Sequence, residues 1–179
     1  MTIAFRMSDQ TEPTPQESTE NFLSAMAGAA TQVSVVTTDG AAGRFGVTVS
    51  AFASVSAEPP LLLVCINRAS PAVQAVEENG CFGVNLLGQG HTHIANCFAG
   101  RPGAHAPYTF GCANWHDGAT GAPLLETASA AFDCLIESAY DAGTHRIFIG
   151  RVAVARTGEH APLAFSKRAY QALSPLEQE

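Results

Sequence analysis

Residues 46–67 join a hydroxyl-dense segment to an almost wholly apolar one. Gly46-Val47-Thr48-Val49-Ser50-Ala51-Phe52-Ala53-Ser54-Val55-Ser56 is made of small, β-branched and hydroxyl side chains, and Glu58-Pro59-Pro60 then leads into Leu61-Leu62-Leu63-Val64-Cys65-Ile66, closed by Asn67. A short continuous apolar run after a Pro-Pro corner reads as a strand covered on both faces, so the rest of the chain must supply a layer on each side. Thr48, Ser50, Ser54 and Ser56 lie at even spacing and share a face if the segment is one regular strand. Hydroxyls and closely approaching backbone suit a phosphate and a flat polar ring system. The same composition also describes the solvent side of an edge strand.

The pattern elsewhere is of short strands with a few helices at the margins. Met1 to about Ser18 is polar, contains Pro13 and Pro15, and has no period, which predicts a flexible tail at 1–18 and one domain at 19–179. Ser18 is a candidate cap for a helix whose Phe22, Leu23 and Met26 share a face. Val33, Val35 and Val36 form a strand, Asp39–Gly43 a turn, and a second strand resumes at Arg44. Ser70-Pro71 opens a short helix to about Glu78. Cys81–Leu87 is a strand and Gln89–Phe98 a helix. Gly100–Gly121, rich in Gly, Pro and Ala, is a long loop of the kind that often carries function. Ala128–Tyr140 and Arg146–Val154 pair across Asp141-Ala142-Gly143. Pro162–Phe165 is a last short strand, followed by a helical turn at Lys167–Leu173. Mostly antiparallel strands with short peripheral helices predict a β-barrel rather than an alternating α/β sheet.

Composition narrows the function classes. Charged residues are only 14% of the chain, which points to surface buried by self-association. A formal charge of -7 excludes a general nucleic-acid binder and requires any anionic cofactor to be held by local donors. The five cysteines show no CxxC or CxxH spacing; Cys65 and Cys134 sit in apolar runs, and a reducing cytoplasm is the expected setting. No apolar run reaches the roughly 18 residues of a membrane span, and the N-terminus lacks the layout of a signal peptide.

Three constellations can carry chemistry. The hydroxyl-rich strand is one. Asn67-Arg68-Ala69-Ser70 is another, where a strand end delivers an amide and a cation and a helix N-terminus follows, with free N–H groups suited to a phosphate; plain capping by Ser70 explains the same residues. The third is Gly143-Thr144-His145-Arg146-Ile147-Phe148-Ile149-Gly150, which sets His145 just after a hairpin turn, rigid and accessible, unless it is only a surface turn histidine. Gly90-His91-Thr92-His93 holds an HxH whose residues do not face together on a helix, so no metal is expected. Gly88-Gln89-Gly90 lacks the third glycine and βαβ context of a dinucleotide fingerprint, and no GxSxG elbow is present.

The order and spacing of Gly46–Asn67, Phe82-Gly83-Val84-Asn85-Leu86-Leu87, Cys97-Phe98-Ala99-Gly100, Gly121-Ala122-Pro123-Leu124-Leu125, Gly143–Gly150, and Pro162-Leu163 with Tyr170 resemble the short-chain flavin reductases, the reductase components of two-component flavin monooxygenases. The likeness runs over about residues 19–173. It implies a split antiparallel β-barrel, a homodimer with flavin near the subunit interface, and reduction of FMN or FAD by NADH or NADPH for a partner monooxygenase. It implies that Thr48, Ser50, Ala51 and Ser54 line the isoalloxazine or ribityl chain, and that Asn67 and Ser70 reach toward the ribityl phosphate. Phe98 and Arg101 would come from a helix end and its loop, His145 from the nicotinamide side, and Tyr170 with Arg168 from the C-terminus. A flavin-binding electron carrier or non-catalytic flavin protein is the alternative, and a flavin-free ligand barrel follows if the hydroxyl face meets solvent. Two departures stand out. Thr144 replaces the acid of the family's Gly-Asp-His turn and removes a possible partner for His145, and Gln32 stands where the family often has Gly. Hydride transfer needs no protein nucleophile, in keeping with a chain that has no triad and no carboxylate pair.

Overall fold

The computed structural model describes residues 14–103 and 105–176. Of the tail expected at 1–18, residues 1–13 lie outside the described residues, and 14–18 are instead the cap and first turn of a helix. The first helix, α1 (Pro15–Ala27), starts earlier than the Ser18 cap predicts. Thr14 caps it instead, because Pro15 occupies the first helical position and Glu17 closes a capping box, its Oε2 accepting from the Thr14 N–H at 2.8 Å. No α1 residue is buried, and Phe22, Leu23 and Met26 stay exposed.

Among the described residues twelve strands follow: β1 (Thr31–Gln32), β2 (Ser34–Thr38), β3 (Phe45–Val49), β4 (Phe52–Ala57), β5 (Pro60–Asn67), β6 (Cys81–Leu86), β7 (Trp115–Asp117), β8 (Pro123–Leu125), β9 (Ala130–Ala142), β10 (His145–Thr157), β11 (Leu163–Ser166) and β12 (Ala169–Ala172). Helix α2 (Pro71–Asn79) separates β5 from β6, and α3 (Thr92–Phe98) follows β6. The main sheet has the order β3-β2-β6-β9-β10-β5-β4, with every pairing antiparallel. Its two edge strands, β3 and β4, are consecutive in sequence and joined only by Ser50-Ala51. The sheet must therefore curl until its edges meet at that link, where the Cys65 N–H donates to the Ala51 carbonyl at 3.0 Å. Beyond the link the edges part, and the barrel is split.

Strand β2 is buried along its whole length because its alternate residues serve two cores. Val36 joins Val64, Ile66, Val76, Phe82, Val84, Cys134 and Phe148 in one, closed by α2; Val35 joins Leu87, Ile94, Phe98, Leu124 and Leu163 in the other, closed by α3. The long β9–β10 hairpin bends at two bulges. At one of them Gly150 lets the Phe82 ring lie against the backbone, in space that a Cβ would fill.

Three local expectations change. Gln89–Phe98 is a 3-10 turn (Gln89–His91) running into α3, not one helix. The long loop contains a 3-10 turn at Phe110–Cys112 as well as β7. Lys167–Leu173 is not helical: Lys167 and Arg168, both at positive φ, form a two-residue hairpin turn, and β12 pairs with β11. The tight turn matches strand twist, and Tyr170 packs against Phe165 with ring centroids 5.5 Å apart; pairing overrides the alanine-rich helical signal.

Candidate functional site

A trough follows the free edge of β3. Its first part, a cavity of about 430 Å³, is lined by Arg44, Gly46, Val47, Ala69, Ser70 and Tyr108 among others. A part of about 180 Å³ continues over Val47, Thr48, Val49, Ser50, Ala51, Cys65, Asn67 and His145. A third of about 140 Å³ runs past Ser50 to Arg101, Phe165 and Tyr170. Adjacent parts share Val47, then Thr48 through Ser50, so they form one continuous surface.

Fold topology explains who meets there. Strand β5 delivers Asn67 at its end, and register places His145 of β10 directly opposite it. Where β3 and β5 part, the trough opens between Ser50 and Asn67. The Asn67 side chain makes an Asx turn, its Oδ1 accepting from the Ala69 N–H at 2.9 Å, which leaves Nδ2 as a donor. Ser70 caps α2 by accepting from the Ala72 N–H at 3.3 Å.

The amide groups at this helix start are less available than the sequence predicts. The Ala69 N–H goes to Asn67 Oδ1, those of Ser70 and Val73 to the carbonyls of Asn67 and Ser70, the Ala72 N–H to Ser70 Oγ, and Pro71 has none. An anion here meets the Ser70 hydroxyl proton, the helix dipole and nearby guanidinium charge rather than a nest of free N–H groups. Arg44 is already held by Asp39 at 2.6 Å and Asp117 at 2.8 Å, and lies over the Phe110 ring.

Other expected residues have other partners. The Thr48 hydroxyl donates to the Ala95 carbonyl at 2.8 Å, so it ties β3 to α3 and offers the trough only acceptor capacity. The Tyr170 hydroxyl and an Arg101 guanidinium nitrogen converge on Asn96 Oδ1, at 2.8 and 3.3 Å. Burial pushes the Tyr170 phenol up, with Arg101 opposing. His145 Nδ1 lies 2.9 Å from Thr144 Oγ1, so the turn residue that replaces an acid still provides the ring with a hydrogen-bond partner.

Thr48, Ser50, Ala51, Asn67, Ser70, Arg101, His145 and Tyr170 are thus brought to one trough. Ser54, Phe98 and Arg168 are placed elsewhere. Ser54 is exposed on β4; because the chain turns at Ser50-Ala51 and a bulge falls between Ser54 and Ser56, the four hydroxyls do not share a face. Phe98 is fully buried, edge-on to Phe110 at 5.1 Å and Trp115 at 5.6 Å, and backs the trough from below through Gly46, where a Cβ would strike its ring. Arg168 is exposed in the β11–β12 turn. Sequence reasoning missed Val47, Cys65, Asn96 and Tyr108. Only the small-residue strand around Gly46 signalled the first; nothing local marks Asn96 or Tyr108.

His91 is a structural residue. It is buried, and its Nδ1 accepts from the Gly88 N–H at 3.1 Å. Among the described residues no group of three or more His, Cys, Asp or Glu side chains is arranged to hold a metal.

The donor set fits a flavin. Val47, Val49 and Cys65 offer apolar wall for a flat ring, while Ser50, Asn67 and the unpaired edge of β3 offer polar groups along its rim. Comparison with known proteins agrees. The sequence profile of the Flavin reductase like domain matches residues 26–174. The chain is 42% identical over 161 residues to an FMN reductase (NADH), RutF, of Ancylobacter novellus, covering 89% of this chain and 88% of that one. It superposes on the NADH:FAD oxidoreductase SgcE6 of Streptomyces globisporus in complex with NAD and FAD fragments with a TM-score of 0.81 at 29% identity, covering 94% of this chain and 100% of that one. The styrene monooxygenase flavin reductase of Pseudomonas putida gives a TM-score of 0.76 at 31% identity over 88% of this chain and 99% of that one. The chain belongs to the flavin reductase family, and its split barrel is that family's fold.

Proposed function

We propose that the chain is an NAD(P)H:flavin oxidoreductase that reduces FMN or FAD and supplies the reduced flavin to a partner monooxygenase. The observation that carries this reading is the continuous trough along β3, which joins the Ser50–Asn67 polar rim to His145. A relative named as an FMN reductase (NADH), at 42% identity, favours FMN and NADH.

Bound flavin supplies the acceptor for the hydride that NAD(P)H carries. The protein's part is to bind and orient. Val47, Val49 and Cys65 would support the ring system, Ser50 and Asn67 Nδ2 would bond its polar edge and side chain, and Ser70 would meet the phosphate. Arg101 and Tyr170, both anchored on Asn96, would close the far end, and His145 would meet the nicotinamide across from Asn67. Orientation of this kind is worth about 7 kcal/mol or more of a barrier. Neutral hydroxyls and amides hold flavin moderately and so allow its release.

The flavin-reductase domain occupies residues 19–179 in this reading. It forms a homodimer, supported by the low charge fraction and by Phe22, Leu23 and Met26, which α1 presents unburied. Light scattering over a dilution series is expected to give twice the chain mass; a stable flavin-competent monomer would refute the dimer. No helix among the described residues is long and apolar enough to cross a membrane. Free cysteines at 65, 81, 97, 112 and 134 support a cytoplasmic setting.

The test is a steady-state assay crossing NADH and NADPH with riboflavin, FMN and FAD. NAD(P)H oxidation that rises with added free flavin is expected. Flavin that stays bound, with no turnover of free flavin, would make the protein an electron carrier instead.

A further inference from the structure

We propose that Thr144 is a positioning residue for His145: its hydroxyl donates to Nδ1, holds the ring as the Nε2–H tautomer, and leaves Nε2–H as the donor facing the trough. This rests on the reading of His145 as the nicotinamide-side residue.

The contact itself is 2.9 Å between Thr144 Oγ1 and His145 Nδ1. Among the described residues neither group has another side-chain or backbone partner, so within the protein each is the other's one match. The turn that carries the pair is fixed from three sides. The Arg68 N–H donates to the Thr144 carbonyl at 3.0 Å, the Arg68 guanidinium reaches the Gly143 carbonyl at 3.4 Å, and Gly143 supplies the positive φ the turn requires.

The charged groups around the tip are occupied with one another. Asp141 from β9 pairs with Arg146 of β10 at 2.6 Å and with Arg68 at 3.4 Å, and Arg146 also pairs with Glu77 of α2. The Arg146 guanidinium, and then Arg68, hold the Asp141 carboxyl below its ordinary range. No carboxylate bonds the imidazole among the described residues. A carboxylate at position 144 could only accept a hydrogen bond from Nδ1–H and would favour the charged ring; a hydroxyl can donate one to an unprotonated Nδ1, and Nε2 of the neutral ring then carries the proton and is the donor. A donor at Nε2 suits the carbonyl oxygen of a carboxamide such as nicotinamide carries.

Side-chain ¹⁵N NMR on the full chain at alkaline pH, without cofactor, reads the tautomer directly. Wild type and Thr144→Ser are expected to show an unprotonated Nδ1 and a protonated Nε2. Thr144→Val, which keeps the shape but not the hydroxyl, is expected to give the averaged signals of mixed tautomers. In turnover Thr144→Val is expected to lose about 2- to 12-fold in kcat/KM for NADH, the span of one neutral hydrogen bond, with flavin affinity unchanged and Ser restoring the rate. An unchanged tautomer in Thr144→Val, or a rate loss that Ser does not restore, overturns the proposal. If no flavin supports NADH oxidation even in wild type, the reading of function falls, and the NMR result alone then decides the Thr144 contact.

Discussion

The closed side of the main sheet and its split use the same strands to opposite ends. Along β5, Leu62, Val64 and Ile66 are buried, and one residue later Asn67 stands exposed. Along β10, Phe148 is fully buried, whereas His145, three residues earlier, is open. The closed side is made by side chains that pack, and it is robust because many contacts specify it. The split is made by the chain stopping: a two-residue link, an Asx turn and a hairpin tip. Packing determines where the trough lies, but turn chemistry decides what faces it.

The two halves therefore separate under mutation. Phe82→Ala on the closed side is expected to cost about 3–5 kcal/mol, since a fully buried ring that also presses on Gly150 leaves a cavity its neighbours cannot fill. Denaturant unfolding measures the loss. Flavin affinity of the protein that remains folded should change little. A loss below about 1 kcal/mol would mean that the sheet relaxes into the space, and the closed side would not be the rigid half described here.

Much of the closed side was legible in the sequence, and for a physical reason. Runs such as Leu61–Ile66 and Cys81–Leu86 read as strands from their own apolar pattern, so strand type, antiparallel class and barrel followed. Leu61–Ile66 is not, however, covered on both faces as expected: Leu62, Val64 and Ile66 are buried, and Leu61, Leu63 and Cys65 are half-buried. Thr48, Ser50, Asn67, Ser70 and His145 stood out as three separate constellations, because strand ends and turns announce themselves locally, and only the family resemblance joined them. What was not legible depends on long-range pairing. Ser54 and Ser56 left the shared face when β3 and β4 became opposite edges of one sheet. Phe98 became a buried support because the Gly46 backbone leaves room for its ring. Asn96, the point where Tyr170 and Arg101 meet, is distant from Tyr170 in sequence and gives no local signal. The helix expected at 167–173 failed because strand pairing outweighs a weak helical propensity.

In the split, smaller substitutions should move binding without moving stability. Asn67→Asp keeps an oxygen for the Ala69 N–H and so keeps the turn, but it removes the Nδ2 donor. Ser50→Val removes a hydroxyl from an exposed link that has little to lose in packing. Each is expected to weaken flavin binding by about 0.5–1.5 kcal/mol, while unfolding midpoints shift by less than about 0.5 kcal/mol. Titration of flavin fluorescence reads the first quantity and urea unfolding the second. Unchanged affinity in both variants would remove the Ser50–Asn67 rim from the site. An equal loss of stability would show that the split is packed like the closed side and abolish the distinction.

The smallest expected effect lies beneath the layer that carries Tyr170 and comes from His91. Its Nδ1 accepts from the Gly88 N–H, its Nε2 meets the Thr127 hydroxyl at 3.2 Å, and the His160 ring lies 5.4 Å away. A ring that must accept at Nδ1 is neutral and carries its proton at Nε2. Burial first, then His160 and His93, hold its pKa below the ordinary value of 6.5. The unfolded chain, with its ordinary imidazole, therefore takes up the proton first as the pH falls. This part of the stability is complete above the ordinary imidazole pKa. It diminishes as the pH drops through that value toward the lower folded one, and the sign follows from the unfolded state binding more protons in that window. Urea midpoints measured on either side of the window should decline on the acid side. His91→Asn keeps an acceptor for the Gly88 N–H and has no proton to gain, so its decline should be shallower than that of wild type. If the two slopes are the same, the acid sensitivity comes from other groups and His91 is a packed ring without a titration role. If the slope flattens as expected, the histidine contact beneath β11 is part of what stabilises the fold, and it is separable from the imidazole at the hairpin tip that faces the trough.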